Sequence, residues 1–437
     1  MRYLVLLFCL LAGTAVNTCA SQVELAQAIQ ADQSLNKVLT QARALLKTGF
    51  TAGTSYQEVW IRDLTTFIEL SCQVVDQATI RRNLLVFFQF QGPTGDIVDG
   101  FIPATQARHG YKYRSSPLAP QYKAHKNTVE TDQESSLVQA VYIYVATTKD
   151  STILQETIAG KTVLERLAWS MDYLLQERYA PEYGLLWGAT TTDWGDVQPE
   201  HSWGVEIDKD THRSVDIYDN AMFLLAIQNL LALMPEDAPQ RQRWTKIHQQ
   251  VTRRVRLHLW DTQADKFIPH RYLDGSPFPK AFDEACITYH GGTAMAIAAD
   301  LLSHEEIEAS LSLMRQNVRA SGAGSIGLTL YPPYPQGFFK NPGMRPYGYQ
   351  NGGDWTWFGG RMIQQLIRTG FVAEAYTELK PMLKRVLKNK GFYEWYTVYN
   401  EPKGAGKFRG SAGVLGKAIL MLKTWADREL EGKTVSR

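Results

Sequence analysis

Cysteine is scarce, at four in 437 residues. Cys9 and Cys19 lie in or beside the first twenty residues, which leaves Cys72 and Cys286 in the body of the chain. Both sit in helical or apolar contexts, Ile68-Glu69-Leu70-Ser71-Cys72 and Ala285-Cys286-Ile287, which suits free buried thiols better than a disulfide. With no CxxC, no clustered Cys/His set and no HExxH, a dedicated zinc site has no support, and neither a metal nor any other cofactor is expected. Charge of one sign is lacking too: 46 Lys and Arg against 44 Asp and Glu leave a formal net charge of +2. The basic residues are scattered rather than striped, so nucleic acid is not an expected partner. Neither the GxSxG elbow nor the phosphate-cradling GxxxxGK[ST] occurs, which removes the commonest hydrolase and nucleotide-binding chemistries. There is no Pro/Ser-rich linker after residue 21 and no fixed-period repeat, so the chain reads as one domain over 21–437 and not as a solenoid.

What is present begins with a leader. Met1 and Arg2 precede an apolar run from Tyr3 to Val16, and Thr18-Cys19-Ala20 offers a small-residue cleavage site. The run is shorter than the roughly 20 residues a membrane-spanning helix needs. Residues 1–20 therefore read as a signal peptide, and the mature protein as exported, periplasmic or secreted, with no membrane attachment after removal. Lipid anchoring at Cys19 is the weaker alternative, because Val16-Asn17-Thr18 poorly matches the small residues usual before such a cysteine. With 44% hydrophobic and 21% charged residues, the rest has ordinary globular composition.

A periodicity of 3.6 residues marks about twelve amphipathic stretches, and clean strand alternation is rare. The first carries Leu35, Val38, Leu39, Ala42, Leu45 and Leu46; the last carries Val414, Leu415, Ala418, Met421, Leu422 and Trp425. Between them helices are expected near 63–76, 78–91, 131–147, 152–178, 216–233, 238–259, 289–300, 304–317, 355–369 and 371–388. The segments 92–130, 180–215, 261–288, 318–354 and 389–410 are long connections that alternate with short ones. Six helical hairpins closed into a ring, with the long loops gathered at one end, satisfy that alternation. The predicted fold is all-α, a single-domain (α/α)6 barrel.

The long loops hold the clusters that could carry chemistry. Eleven Trp and 21 Tyr, many beside Asp, Glu, Asn or Gly, suit a ligand with both hydroxyls and flat C–H faces, as sugars have. Val59-Trp60-Ile61-Arg62-Asp63, Glu130-Thr131-Asp132, Thr192-Asp193-Trp194-Gly195-Asp196, Asp216-Ile217-Tyr218-Asp219-Asn220, Asn351-Gly352-Gly353-Asp354-Trp355 and Gly391-Phe392-Tyr393-Glu394-Trp395-Tyr396 each join an acid to aromatic or Gly residues. Asp150, Asp216 and Asp354 stand where helix N-caps are expected. Asp193 and Glu394 lie inside loops flanked by bulky rings. Cleaving a glycosidic bond takes one protonated carboxyl to donate to the leaving oxygen and one carboxylate to activate water or attack the sugar. Burial beside Trp194 would raise the pKa of Asp193 as a general acid requires, whereas polar neighbours could hold Glu394 ionised.

At these residues the chain resembles the six-hairpin glycosidases, the group of neutral and alkaline invertases, trehalases, processing α-glucosidases and glucoamylases, over nearly its whole mature length. Trp60-Ile61-Arg62-Asp63 is similar to the group's W-x-R-D signature, which implies that Arg62 and Asp63 hold sugar hydroxyls beside Trp60; a buried ion pair organising the second helix is the competing role for these two. Asp193 stands where these families carry the general acid, with Asp196 its rival three residues on. Glu394 looks like the Glu of W-P-E-Y-Y, implying a general base. Asn351-Gly352-Gly353-Asp354-Trp355 resembles H-N-G-G-S-W, implying substrate contacts by Asn351 and Trp355. Asp132, Trp194, Asp219 and Trp395 complete the expected sugar-binding set, Asp132 having the alternative of a helix-dipole acid. Phe408-Arg409-Gly410-Ser411 lacks the Q-x-W of invertases, so sucrose specificity is not implied. The resemblance implies an inverting hydrolase of an α-linked glucoside or related oligosaccharide, with carboxyl groups about 6.5–9.5 Å apart. The alternatives are a glycoside phosphorylase or unsaturated-uronide hydrolase on the same scaffold, and a glycan-binding protein without catalysis.

Overall fold

The computed structural model describes residues 22–107, 112–202 and 204–434. The expected signal peptide lies outside the described residues. The helices are α1 (22–31), α2 (Gln33–Leu46), α3 (Ile61–Ser71), α4 (Gln77–Gln89), α5 (Gln133–Thr148), α6 (Val163–Glu177), α7 (Ile217–Leu233), α8 (Arg241–Leu259), α9 (His290–Ala298), α10 (His304–Ser321), α11 (Thr356–Arg368), α12 (Val372–Asn389) and α13 (Arg409–Thr434). From α3 onward the odd-numbered helices pack in succession, and α13 closes the circle against α3. The even-numbered helices from α2 to α12 lie outside them. This is the expected (α/α)6 toroid.

Sequence pattern explains which helix goes where. In α7 most side chains are buried, including Ile217, Tyr218, Phe223, Leu224, Ile227 and Leu230, because a helix between its ring neighbours and an outer partner has little wet face. In α8 only Trp244, Val251, Val255 and Leu259 are buried, a single stripe flanked by basic and amide residues. The inner ring is tight: a Cβ on Gly413 of α13 would come within 2.4 Å of the Phe67 backbone of α3.

Two helical expectations change. The helix foreseen over 152–178 starts only at Val163, preceded by a 3-10 turn at Ser151–Gln155 and a tight antiparallel pair, Thr157–Ile158 with Lys161–Thr162. Gly160 turns that pair at φ 81°, and Thr162 opens α6 with a capping box to Glu165. The unforeseen α1 buries Ala26 and Ile29. Asp216 and Asp150 cap as expected, accepting from the Asp219 and Thr152 amides. Asp354 does not; the residue before α11 is Trp355, and Asp354 pairs with the buried Arg385 of α12 at 2.9 Å. Cys72 and Cys286 are both free, but neither is fully buried: Cys72 is half-buried just past the end of α3, and Cys286 is exposed because it sits in a surface turn.

Every long loop leads from an outer helix into the N-terminus of an inner one, so the loops converge on the end where the inner helices begin. Short strands brace them. β1 (Val59–Trp60), β2 (Gly100–Pro103) and β3 (Tyr122–His125) form an antiparallel sheet that sets Trp60 against Gly100, and Gly100 against His125. β4 (Tyr393–Tyr396) and β5 (Pro402–Gly406) form a hairpin. No helix of the described residues is long and apolar enough to cross a membrane.

Candidate active site

A cavity of about 530 Å³ opens among these loops. Its walls include Trp60, Trp194, Trp355, Trp357, Trp395 and Tyr349, and its acids are Asp63, Asp99, Glu130, Asp196 and Glu394. The volume falls within the roughly 300–1,000 Å³ usual for small-molecule sites.

Glu394 reaches it through an irregularity in the hairpin. Tyr393 pairs with Gly406 and Trp395 with Lys403, so the register shifts at Glu394. In a regular strand adjacent side chains point to opposite faces, yet Glu394 and Trp395 both line the cavity; the bulge re-aims one of them. The Tyr56 hydroxyl donates to Oε1 at 2.8 Å and the Ala405 amide to Oε2 at 2.7 Å. Burial raises the Glu394 pKa, those two bonds oppose the rise, and the charge of Asp196 adds to it. Gly404 (φ 68°) admits no side chain, since its Cβ would lie 2.3 Å from Glu394 Oε2.

Asp196 belongs to the Trp194-Gly195-Asp196 turn. Gln350 Nε2 donates to its Oδ1 at 2.8 Å, and the Asp196 amide donates back to Gln350 Oε1 at 3.3 Å. Trp194 is fixed by stacking on Phe358 at 4.6 Å and by edge contacts with Trp355 and Trp357 at 4.8 and 5.2 Å.

Asp193, the other expected acid, does not line this cavity. Its backbone is left-handed (φ 55°) and its carboxylate turns to the first turn of α9, accepting from Gly291 N at 2.8 Å and from Gly292 N at 2.9 and 3.0 Å. It thereby satisfies two amides that a helix start leaves without intrahelical partners. A Cβ on Gly291 or Gly292 would lie 2.8 or 2.7 Å from the Asp193 oxygens, so His290-Gly291-Gly292 is the receptor for this carboxylate. Burial pushes the Asp193 pKa up to about 8, against the pull of the Gly292 and Gly291 amides.

Arg62 and Asp63 separate in role. Arg62 lines the cavity, but its guanidinium donates to Asp132 Oδ2 at 2.8 Å, to the Trp194 carbonyl at 2.6 Å and to Glu130. Tyr218 adds a hydroxyl to the same Asp132 oxygen at 2.7 Å. Asp63 also lines the cavity, and its buried Oδ1 has no hydrogen-bond partner among the described residues. Burial pushes its pKa up to about 7, with Arg62 pulling the other way.

Of the expected sugar-binding residues, the structure gathers Trp60, Arg62, Asp63, Trp194, Trp355 and Trp395 around the cavity. Asp132 lies beneath it, fully buried under Arg62. Asp219 faces a small inner void with Asp193 and Asp216; burial first, then Asp216, raises its pKa well above the ordinary range. Asn351 is fully buried and braces its own loop, accepting from Tyr334 N and donating to the Tyr334 and Met344 carbonyls. Sequence reasoning missed Tyr56, Gln350, Trp357 and Asp99. Gln350 precedes the Asn351-Gly352-Gly353 cluster, which was a usable signal; Tyr56 stands in a loop with no motif. Among the described residues no group of three or more His, Cys, Asp or Glu is arranged to hold a metal ion.

No family model and no curated protein matches the sequence. Among solved structures the chain is similar to the GH63 mannosylglycerate hydrolase from Thermus thermophilus. In complex with glucose, that protein gives a TM-score of 0.60 at 16% identity, covering 89% of this chain and 99% of that one. In complex with Tris and D-glycerate the figures are 0.61, 17%, 87% and 99%. A rhamnosidase from Klebsiella oxytoca with rhamnose bound gives 0.57 at 14% identity, covering 88% of this chain and 63% of that one. These likenesses establish a shared fold.

Proposed function

We propose that the chain is an inverting glycoside hydrolase acting on an α-linked glucoside or a related short oligosaccharide, with Asp196 as general acid and Glu394 as general base. The observation that carries the reading is that these two carboxyl groups, from loops far apart in sequence, line one tryptophan-walled cavity, where the charge of Asp196 helps to raise the Glu394 pKa. Solved structures of the same fold are a mannosylglycerate hydrolase and a rhamnosidase, which supports the same class of chemistry here.

In this mechanism Asp196 gives its proton to the glycosidic oxygen as the bond to the anomeric carbon breaks. Glu394, its two oxygens held by Tyr56 and Ala405, takes a proton from the water that attacks the opposite face. Asp63 Oδ1 has the unmet hydrogen-bonding capacity that a sugar hydroxyl fills. Trp60, Trp355 and Trp357 offer the apolar faces for the ring. Arg62 acts from behind, tying the Trp194 carbonyl and so the Asp196 turn to Asp132 and Glu130.

A proton NMR time course on a panel of disaccharides and aryl glycosides tests this. The expected result is hydrolysis without added phosphate, with the first product of inverted anomeric configuration. Retained configuration, strict phosphate dependence, turnover confined to unsaturated uronides, or binding without any turnover would each overturn it.

A further inference from the structure

A second cleft, of about 520 Å³, lies between α12 and the tip of the β4–β5 hairpin. Lys380, Lys384 and Lys388 line one side at four-residue spacing, and Asn400, in the hairpin's turn, lines the other. Like charges repeated at i and i+4 repel. A cationic C-terminus complements the helix dipole and accounts for Lys388 in the last turn, but the effect fades within a turn and leaves Lys380 unexplained. One acid reaches the row: Asp32, which accepts from the Tyr376 hydroxyl at 2.9 Å, interacts with the charge of Lys380. Glu378 of the same helix is taken by Arg315 at 2.7 Å, and no acid among the described residues is within salt-bridge distance of Lys384 or Lys388. Lys380 itself stands 4.2 Å over the Tyr376 ring. Arg385 also lines the cleft; although it pairs with Asp354, its buried Nε has no hydrogen-bond partner among the described residues. Beside Asn400 in sequence, Tyr399 is the most exposed of the large hydrophobic side chains among the described residues, at 84%.

A row of ammonium groups facing a hairpin turn that carries an unburied aromatic ring could engage the two things an acidic sugar presents to a protein, an anionic group and an apolar ring face. We propose that this cleft is a second carbohydrate site, separate from the reaction cavity, that takes an acidic glycan of the uronate type. The carbohydrate part rests on the proposed hydrolase activity, and the anionic part on the lysine row. Both sites share the hairpin, Glu394 in β4 and Asn400 at the tip, so a bound chain would be anchored beside the element that carries the general base.

Calorimetric titration of the full chain with trigalacturonate tests the proposal, with maltotriose as the neutral probe and tripolyphosphate as the bare anion. The trigalacturonate affinity should weaken with salt. It should fall about ten-fold or more in Lys380→Glu/Lys384→Glu and about three-fold in Tyr399→Ala. Lys380→Gln/Lys384→Gln should give a smaller loss in the same direction with an unchanged melting midpoint, and maltotriose should not compete. Absence of trigalacturonate binding, affinity unchanged in the lysine variants, or tripolyphosphate bound as tightly and indifferently to Tyr399→Ala would overturn it. Because binding is read without turnover, a chain that hydrolyses no glycoside would fail the proposed activity and still decide this question.

Discussion

Replacing Asp193 by asparagine separates two jobs that sequence leaves entangled. In the structure this carboxylate is 1% exposed, and its side-chain partners among the described residues are the amides of Gly291 and Gly292, at 2.8 to 3.0 Å. Burial pushes the Asp193 pKa up to about 8, so its bonds to these amides are largely those of a neutral carboxyl at neutral pH, and leaving one buried amide unsatisfied costs about 1–3 kcal/mol. Asparagine keeps one acceptor oxygen but turns an N–H₂ toward a helix start that already presents donors. The expected loss is therefore about 1–3 kcal/mol. Asp193→Ala, which strands both amides, should lose more. Against a total stability of about 5–15 kcal/mol, the Asn variant should still fold. Urea denaturation followed by circular dichroism should show a lower midpoint with an unchanged slope. Turnover of the folded variant on a substrate identified by the panel should fall by less than about ten-fold, a loss of about 1.4 kcal/mol in transition-state stabilisation. A variant as stable as the parent but devoid of turnover would refute this reasoning and return the acid role to Asp193.

Tyr56→Phe removes a hydrogen bond that favours the ionised form of Glu394, so the Glu394 pKa, already raised by burial, should rise further. The base must be ionised to work, so the acidic limb of the kcat/KM profile should move to higher pH; an unmoved limb would detach Tyr56 from Glu394. Arg62→Met should cost about 3–5 kcal/mol, because Asp132 and Glu130 would remain buried without their cation, and thermal denaturation should register it as a large drop in Tm. Burial raises the carboxyl pKa of Asp63 to about 7 and of Asp99 to about 8, well above their unfolded values. The folded state then binds more protons than the unfolded one between about pH 4 and 8, and these two groups should make stability fall as pH rises through that window. Comparing the pH slope of Tm in the parent and in Asp63→Asn checks the sign: the parent should lose more Tm between about pH 5 and 8.

The ring was legible because its logic is periodic: amphipathic stretches such as Leu35 to Leu46, joined by alternating short and long connections, leave few other closed arrangements. Boundaries failed where local chemistry overrode the pattern, as at Gly160 and the Thr162–Glu165 cap, which break the expected 152–178 helix. The site was legible in its aromatic and acidic clusters but not in their division of labour. Asp193 and Asp196 are three residues apart, and only the left-handed turn at Asp193 decides that one carboxylate faces α9 while the other faces the cavity. Asn351 and Arg62 carry polar groups spent on their own neighbours, a fact that depends on Tyr334 and Met344 elsewhere in the loop of Asn351 and on Asp132 and Glu130 from a different loop. Tyr56 meets Glu394 across 338 residues of sequence, beyond the reach of any local motif.

The central claim is that Asp196 and Glu394 act as a pair across one cavity, and the rates of Asp196→Asn and Glu394→Gln test it most directly. Measured on one glycoside with an alkoxide-like leaving group and with folding checked by thermal melting, each substitution should lower kcat by several orders of magnitude and leave Tm within a few degrees of the parent. A well-folded variant of either residue that retains a tenth or more of the parental kcat would contradict the account.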